Sequence, residues 1–268
     1  MCILATLCIA VWLWHFCTVQ NNAIGVTTLN LRQNTGNAPL RILHLSDLQC
    51  KRFGEKQSLL LAHIRDLQPD IIVFTWDLVD AFHYDSQSWR ELVAGLSAIA
   101  PTYFVSGNHE WWRGNFEEVA TELSRVGVHV LRNQSVDVGI KQRLITIVGL
   151  EDPVSVQQSD QKFLDLIQKQ SEAVATSDYA ILLTHRPEYF DAYDQTRFDL
   201  VFAGHAHGGQ IRLPWVGGLL APNQGLLPRY TAGLYTGKRT KMVVSRGLGN
   251  SVFPLRIFNR PEIVLVVI

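Results

Sequence analysis

An excess of charge of either sign is missing from this chain: Lys+Arg and Asp+Glu both number 24, so the formal net charge is zero. That leaves no basic track for a nucleic acid and no polybasic run for purely electrostatic membrane attachment. Cysteine is scarce as well. Cys2, Cys8 and Cys17 fall in one apolar run, and Cys50 stands alone in the remainder. This excludes a disulfide framework and zinc-finger spacing, and no lipoprotein-type small-residue motif precedes the cysteines. Internal repeats and low-complexity tracts are absent. Charged residues make up only 18% and mean hydropathy is +0.07. Together these point to a deeply buried core plus a hydrophobic segment. At 268 residues the chain holds one large α/β domain or two small ones, with a core that needs no covalent staples.

The hydrophobic segment comes first. Met1 to Val19 carries no charge, and only Thr6, His15 and Thr18 interrupt the apolar run. About 20 such residues span a bilayer core as a helix. A cleaved signal peptide is the competing reading, but its apolar region is usually shorter and its start basic. Here no Lys or Arg precedes Arg32, and no clear small-x-small cleavage site follows. The expectation is a retained single-pass anchor over residues 1–19 in the cell membrane. Positive-inside reasoning does not fix its orientation, because the first basic residues lie after it. Residues 20–39 are polar and turn-rich (Asn21, Asn22, Gly36, Asn37, Pro39) and read as a tether with a short strand near Val26–Leu31. One domain over 40–268 follows.

Within it, apolar runs alternate with amphipathic stretches. Strands are expected at Arg41–Ser46, Asp70–Thr75 and Thr102–Ser106, with helices at Glu55–Leu67, Ser86–Ala100 and Phe116–Val126. Val128–Leu131, Val136–Val138 and Arg143–Val148 read as strands of a second sheet. A helix at Gln161–Ala175 leads to strands at Tyr179–Thr184 and Leu200–Phe202. After a loop-rich stretch, Met242–Ser245 and Glu262–Val267 close the domain. Strands alternating with helices imply a buried, mostly parallel sheet, and the strand-rich middle and tail imply another.

Metal-ligand-type residues follow five of these strands: Asp47, Asp77, Asn108 with His109, His185, and His205 with His207. Sites in open α/β sheets gather at the carboxyl ends of strands, so residues far apart in sequence can converge. A mixture of Asp, Asn and His suits Mn2+, Fe2+ or Zn2+. Singly, each has a plain alternative. A strand-end Asp is usually a cap or turn residue, and His15, His44, His63, His83 and His129 read as ordinary polar groups. His205-Ala206-His207 between Gly204 and Gly208-Gly209 is stronger, because a glycine-rich turn lets backbone wrap an ion.

The ordered set Asp47-x-Gln49, Trp76-Asp77-Leu78-Val79-Asp80, Gly107-Asn108-His109-Glu110, Thr184-His185 and Gly204-His205-Ala206-His207 resembles the calcineurin-like metallophosphoesterase superfamily. It spans almost the whole domain. The runs Gly204 to Gln210 and Ser245-Arg246-Gly247-Leu248-Gly249-Asn250 resemble its membrane-associated bacterial branch of YkuE-like and YaeI-like phosphohydrolases. The resemblance implies a four-layer α/β/β/α sandwich, two mixed sheets flanked by helices. It also implies a hydrolase that cleaves phosphoester or pyrophosphate bonds with two divalent metal ions. Asp47, Asp77 and His207 would hold the first ion, with Gln49 at a further ligand position. Asp77 would bridge to the second, completed by Asn108, His185 and His205. Two such ions lower the pKa of a shared water and clamp phosphoryl oxygens. The attacking hydroxide would bridge the metals, and His109 would protonate the leaving group. Asp80 and Glu110 are candidates to orient histidines.

Two positions depart from the family pattern. Gln49 stands where the family has a histidine, a neutral hard donor that shifts the expected ion to Mn2+, with Fe, Zn and Mg as alternatives, and weakens the first site. Trp76 stands where the family has glycine, so its indole must turn away or crowd Asp77. A weakened metal-binding or scaffold protein on the same fold is therefore the alternative reading. After His207, the set Ile211, Leu213, Pro214, Trp215, Val216, Leu219, Leu220, Leu226 and Leu227 is apolar for a connecting stretch. Either it packs on the second sheet or it touches lipid. Some superfamily members cleave a lipid-linked UDP-sugar pyrophosphate, so a lipid-linked substrate is one expectation, with Arg186, Arg212 and Arg229 meeting its phosphates.

Overall fold

The computed structural model describes residues 2–32, 38–156, 159–174, 178–250 and 253–268. Helix α1 (Cys2–Asn22) and strand β1 (Gly25–Asn30) come first. Then follow β2 (Arg41–Leu45), α2 (Ser58–Asp66), β3 (Ile71–Thr75), α3 (Ser86–Ser97), β4 (Thr102–Val105), α4 (Asn108–Arg113), α5 (Phe116–Arg125) and β5 (His129–Val130). The second half holds β6 (Gln134–Ile140), β7 (Arg143–Gly149), α6 (Asp160–Glu172), β8 (Tyr179–Leu183), the one-turn α7 (Phe190–Tyr193) and β9 (Leu200–Ala203). Two small hairpins come next, β10 (Arg212–Leu213) with β11 (Gly217–Gly218) and β12 (Leu220–Ala221) with β13 (Gly225–Leu226). Last are β14 (Gly233–Thr236), β15 (Lys241–Val244) and β16 (Glu262–Val267).

Two six-stranded sheets result, in the orders β1-β16-β2-β3-β4-β5 and β14-β15-β9-β8-β7-β6. Both are mixed. β2 to β5 run parallel and β16 lies antiparallel to β2. β7, β8, β9 and β15 run parallel between antiparallel edges β6 and β14. Strand side chains alternate between faces, and β2 shows the consequence. Leu43 and Leu45 join α2, α3 and α5 in one core, while Ile42 faces the other sheet with Val73, Ile181 and Phe202. A third core, with Phe163, Ile167 and Tyr193, packs α6 and α7 on the outer face of the second sheet. The layers are thus helix, sheet, sheet, helix, the architecture the resemblance implied. The capping of α3 is explicit in sequence: Asp85 accepts hydrogen bonds from the Gln87 and Ser88 amides.

The strand at Val128–Leu131 is a correction. It is β5 at the edge of the first sheet, parallel to β4, not part of the second. The α4–α5 stretch is a helical crossover, and such a crossover returns the chain parallel to the same sheet. The segment read as a tether contains β1, which pairs parallel with β16, so the first sheet begins before Leu40. Gly36 and Asn37 lie outside the described residues, as does Ala175 beyond α6. Helix α1 runs past Val19 to Asn22. Leu4–Asn22 is long and apolar enough to cross a membrane, and none of it is buried inside the protein. Its last turn is seated on the domain. Asn259 N–H donates to Gln20 Oε1 (3.2 Å), and Arg256 N–H and Asn250 Nδ2 donate to Asn21 Oδ1 (3.3 and 3.1 Å). Lys51 Nζ donates to the Asn21 carbonyl, and Phe16 meets Phe258 edge-on at 5.4 Å.

Candidate metal centre

The parallel strands β2, β3, β4, β8 and β9 end at one rim, and Asp47, Asp77, Asn108, His185, His205 and His207 follow their last residues. All are buried, as are Gln49 and His109. Two groups gather within 4.8 Å: Asp77 with His185 and His205, and Asp47 with Asp77 and His207. Asp77 belongs to both. His185 Nε2 lies 3.3 Å from Asp77 Oδ2, and His205 Nδ1 lies 3.1 Å from His185 Nε2. His207 Nε2 is 3.3 Å from Asp47 Oδ1. The His205 amide donates to Asp47 Oδ1 and the His109 amide to Asp77 Oδ1, which fixes the two carboxylates.

Glycine makes this approach feasible. A Cβ on Gly204 would stand 1.9 Å from Ser46 Oγ and 2.8 Å from Asp47 Oδ2, and one on Gly107 would stand 2.3 Å from Asp77 Oδ1. Asp47, Gln49, His205 and His207 all adopt left-handed backbone conformations, with φ of 52°, 51°, 65° and 46°. Such conformations cost non-glycine residues about 1–3 kcal/mol each and cluster at functional sites.

The polar atoms fit divalent cations. Asp47 Oδ2, Gln49 Oε1, Asn108 Oδ1 and His207 Nδ1 are buried without a hydrogen-bond partner. Buried polar groups are normally satisfied, and three of these four are lone-pair oxygens with no donor in reach. Burial raises Asp47 to about 7, with His185 opposing and Asp77 adding to the rise, and raises Asp77 to about 6. Burial also lowers His205 and His207 well below the usual histidine value. Cations placed among them would restore the carboxylates to their charged form.

The two departures from the family pattern resolve differently. Trp76 turns away from the cluster and packs on Phe74 (4.0 Å) and Phe104 (4.6 Å) in the helix-side core. Gln49 stays in the site, with Nε2 donating to Asp77 Oδ2 at 3.1 Å and Oε1 unpartnered. His109 Nδ1 accepts the Ala81 N–H at 3.1 Å, and Nε2 faces Asp77 Oδ2 at 3.9 Å. Asp80 Oδ1 is 4.0 Å from His109 Nδ1. Among the described residues, Glu110 makes no hydrogen bond to a histidine. Its carboxyl accepts the amides of Leu78, Val79 and Gly107, clamping the Asp77 turn to the start of α4.

Of the three arginines expected to meet phosphate, the structure brings Arg186 to the cluster. It is buried, doubly bonded to Asp152 (2.5 and 2.9 Å), with Nη1 at 2.9 Å from His205 Nε2 and 2.7 Å from Asn223 Oδ1. Arg212 donates to the Gly208 carbonyl and Thr231 Oγ1, and Arg229 lies at the surface against Asp191 at 3.3 Å. Sequence reasoning missed Asp152, Asn223, Asn259 and Arg256. Asp152 carried a usable signal, since it follows β7 as Asp47 follows β2. Buried Arg256 donates to the carbonyls of Gly249, Arg246 and Asn259. It thereby shapes the Ser245–Asn250 turn, whose Leu248 and Gly249 amides reach the Ser46 and Asp47 carbonyls.

Comparison with known proteins agrees with this geometry. A family model described as calcineurin-like phosphoesterase matches residues 40–209. The chain is 30% identical to the uncharacterized metallophosphoesterase Cj0846 of Campylobacter jejuni over 93% of its length, and spans 63% of that protein. It is 29% identical to phosphodiesterase YaeI of Escherichia coli, with 85% of this chain and 82% of the relative covered. It is 28% identical to the uncharacterized metallophosphoesterase YkuE of Bacillus subtilis, with 83% of this chain and 77% of the relative covered.

Proposed function

Because the chain belongs to the calcineurin-like phosphoesterase family, we propose that it is a membrane-anchored, metal-dependent phosphoesterase whose substrate is presented at the bilayer surface. The observation that carries the catalytic reading is the meeting of five strand ends around buried, unpartnered ligand atoms. Asp47, Gln49, Asp77 and His207 would hold one divalent ion, and Asp77, Asn108, His185 and His205 the other. Mn2+ is the expected ion, since the donors are mostly hard oxygens and imidazoles. Bound there, the ions supply Lewis acidity toward the phosphoryl group and activate water.

The protein's own groups do the rest. The Ala81 amide can only donate, so His109 Nδ1 must be bare and a neutral ring carries its proton on Nε2. That nitrogen faces the Asp77 side of the cluster, where it can protonate a departing oxygen. Arg186 adds positive charge at the cluster edge, but its bonds to Asp152 hold it in place.

The lipid reading draws on the outer rim. Leu213, Trp215, Val216, Leu220, Leu226 and Leu227 are exposed, so these six do not pack on the second sheet. Their hairpins lean on the His207 turn, where the Leu219 amide reaches the Gly209 carbonyl. Exposed Phe253, Leu255 and Phe258 continue the rim to the seat of α1. Exposed apolar groups gathered in this way mark a membrane or partner contact. A lipid-linked phosphoester or pyrophosphate meets both halves of this surface.

Gln49 favours the second reading, a weakened metal-binding protein, because its free Oε1 is a neutral donor where the family has an imidazole. Hydrolysis of bis-p-nitrophenyl phosphate and of short- and long-chain phosphodiesters, across a panel of Mn2+, Mg2+, Zn2+ and Fe2+, separates the two. Metal-dependent turnover supports the enzyme, and preference for long chains supports lipid. No turnover with any ion leaves the binding protein.

A further inference from the structure

His205 presents its two ring nitrogens to different worlds. Nδ1 faces the cluster, 3.1 Å from His185 Nε2; the Thr75 carbonyl accepts from His185 Nδ1, so without a metal His185 Nε2 is bare and accepts from His205 Nδ1–H. Nε2 faces outward, 2.8 Å from Asn223 Oδ1 and 2.9 Å from Arg186 Nη1. These outer neighbours ask for opposite things. A guanidinium N–H only donates, so Arg186 requires a bare Nε2. An amide oxygen only accepts, so Asn223 requires a protonated one. In a neutral ring the choice at Nε2 dictates the state of Nδ1. If Nε2 is bare, the proton sits on Nδ1 and blocks the lone pair that would reach a cation. If Nε2 carries the proton, that lone pair is free.

From this geometry we infer that Asn223 is the positioning residue that sets the metal-competent tautomer of His205, against the competing donor Arg186. The inference rests on the proposed metal site. Arg186 Nη1 lies 2.7 Å from Asn223 Oδ1 as well. It therefore has an alternative acceptor when the imidazole proton moves to Nε2, and the Asn223 oxygen has lone pairs for both donors. The proton count is unchanged: one imidazole proton passes from Nδ1 to Nε2, and one Arg186 N–H exchanges a nitrogen acceptor for an oxygen. Both outer groups are held. Arg186 is pinned by Asp152. Asn223 takes a left-handed φ of 58° in the β12–β13 turn, and its neighbour Gln224 bonds the Tyr230 amide and carbonyl. No motif identified in the sequence includes Asn223, which lies 18 residues from His205.

The test uses the full-length, detergent-solubilised protein and Zn2+ as a diamagnetic probe. Long-range nitrogen–proton spectra of 15N-histidine-labelled protein report which ring nitrogen is protonated. With Zn2+ bound, His205 is expected to carry its proton on Nε2, and a proton on Nδ1 overturns the inference. In Asn223→Ala one of two metal equivalents is expected to weaken 10- to 100-fold by titration calorimetry, because the Nε2–H that metal binding requires loses its acceptor. Asn223→Asp, which keeps an acceptor oxygen, restores the affinity. Unchanged affinity in Asn223→Ala rejects the role of Asn223 while leaving the metal site standing. A wild-type protein that binds no metal removes the site and the inference together. Where Asn223→Ala fails to fold, a Zn2+-bound wild-type His205 protonated on Nδ1 still overturns the inference.

Discussion

Trp76 precedes Asp77 directly, yet the two side chains serve different layers. The indole fills the helix-side core between Phe74 and Phe104, so its replacement is a packing event. Trp76→Gly, which restores the family residue, is expected to cost about 3–5 kcal/mol in a denaturant titration and to leave bound metal unchanged. A gain in metal content would contradict that division. Gln49→His acts on the site itself. It exchanges an amide for an imidazole, and is expected to tighten the weaker of two Mn2+ equivalents, measured as metal retained after mild chelation. Two tightly held equivalents in the unmodified protein would contradict the weak first site. His109→Ala is expected to lower kcat about 10^2- to 10^4-fold with metal content intact, and unaltered turnover would remove it from the mechanism. These residues were legible because each stands just after an apolar strand. Asn223 was not, because a turn residue in Pro222-Asn223-Gln224-Gly225 looks like any other turn until the fold brings it to His205.

Between elements, His44 carries the clearest pH dependence. It leaves β2 toward the other sheet, where its ring meets Phe202 edge-on at 5.0 Å and Nε2 lies 2.7 Å from Thr75 Oγ1. Burial lowers its pKa to about 3. The folded state therefore resists a proton that the unfolded chain accepts near pH 6.5. The resulting stability is complete above that value and is lost as pH falls toward 3. Between pH 7.5 and 5 the loss is about 2 kcal/mol by this linkage. His44→Leu is expected to flatten the dependence by that amount in unfolding titrations at the two pH values, whatever it does to absolute stability. An unchanged slope would place the acid sensitivity elsewhere. At this scale the sequence was readable wherever period and punctuation agreed, as for β2, β3 and β4. It was misread at β5, where partner choice depends on a crossover and not on local pattern. The hairpins β10 to β13 were invisible because strands of two residues carry no period.

For the whole molecule, the two sheets close on buried carboxylates that two cations would balance. Stripping metal with a chelator is expected to lower the melting temperature, and adding Mn2+ to restore it, since a ligand that binds only the folded state stabilises it. An identical melting temperature with and without Mn2+ would argue against a loaded site. The layered architecture was foreseeable from the order of motifs, while the seating of α1 was not. Gln20 and Asn21 looked like the start of a tether, and their contacts with Asn250, Arg256 and Asn259 depend on a loop more than 200 residues away.

That seat ties the last turn of α1 directly to the catalytic body. Asn259, which meets Gln20 through its amide, also donates from Nδ2 to the His207 carbonyl at 2.7 Å. With α1 upright in a bilayer, the catalytic mouth would ride at one fixed altitude above the headgroups. Encounters with a lipid would then be a two-dimensional search by lateral diffusion. Turnover per enzyme would follow the areal density of substrate in the same vesicle and ignore dilution of the vesicles themselves.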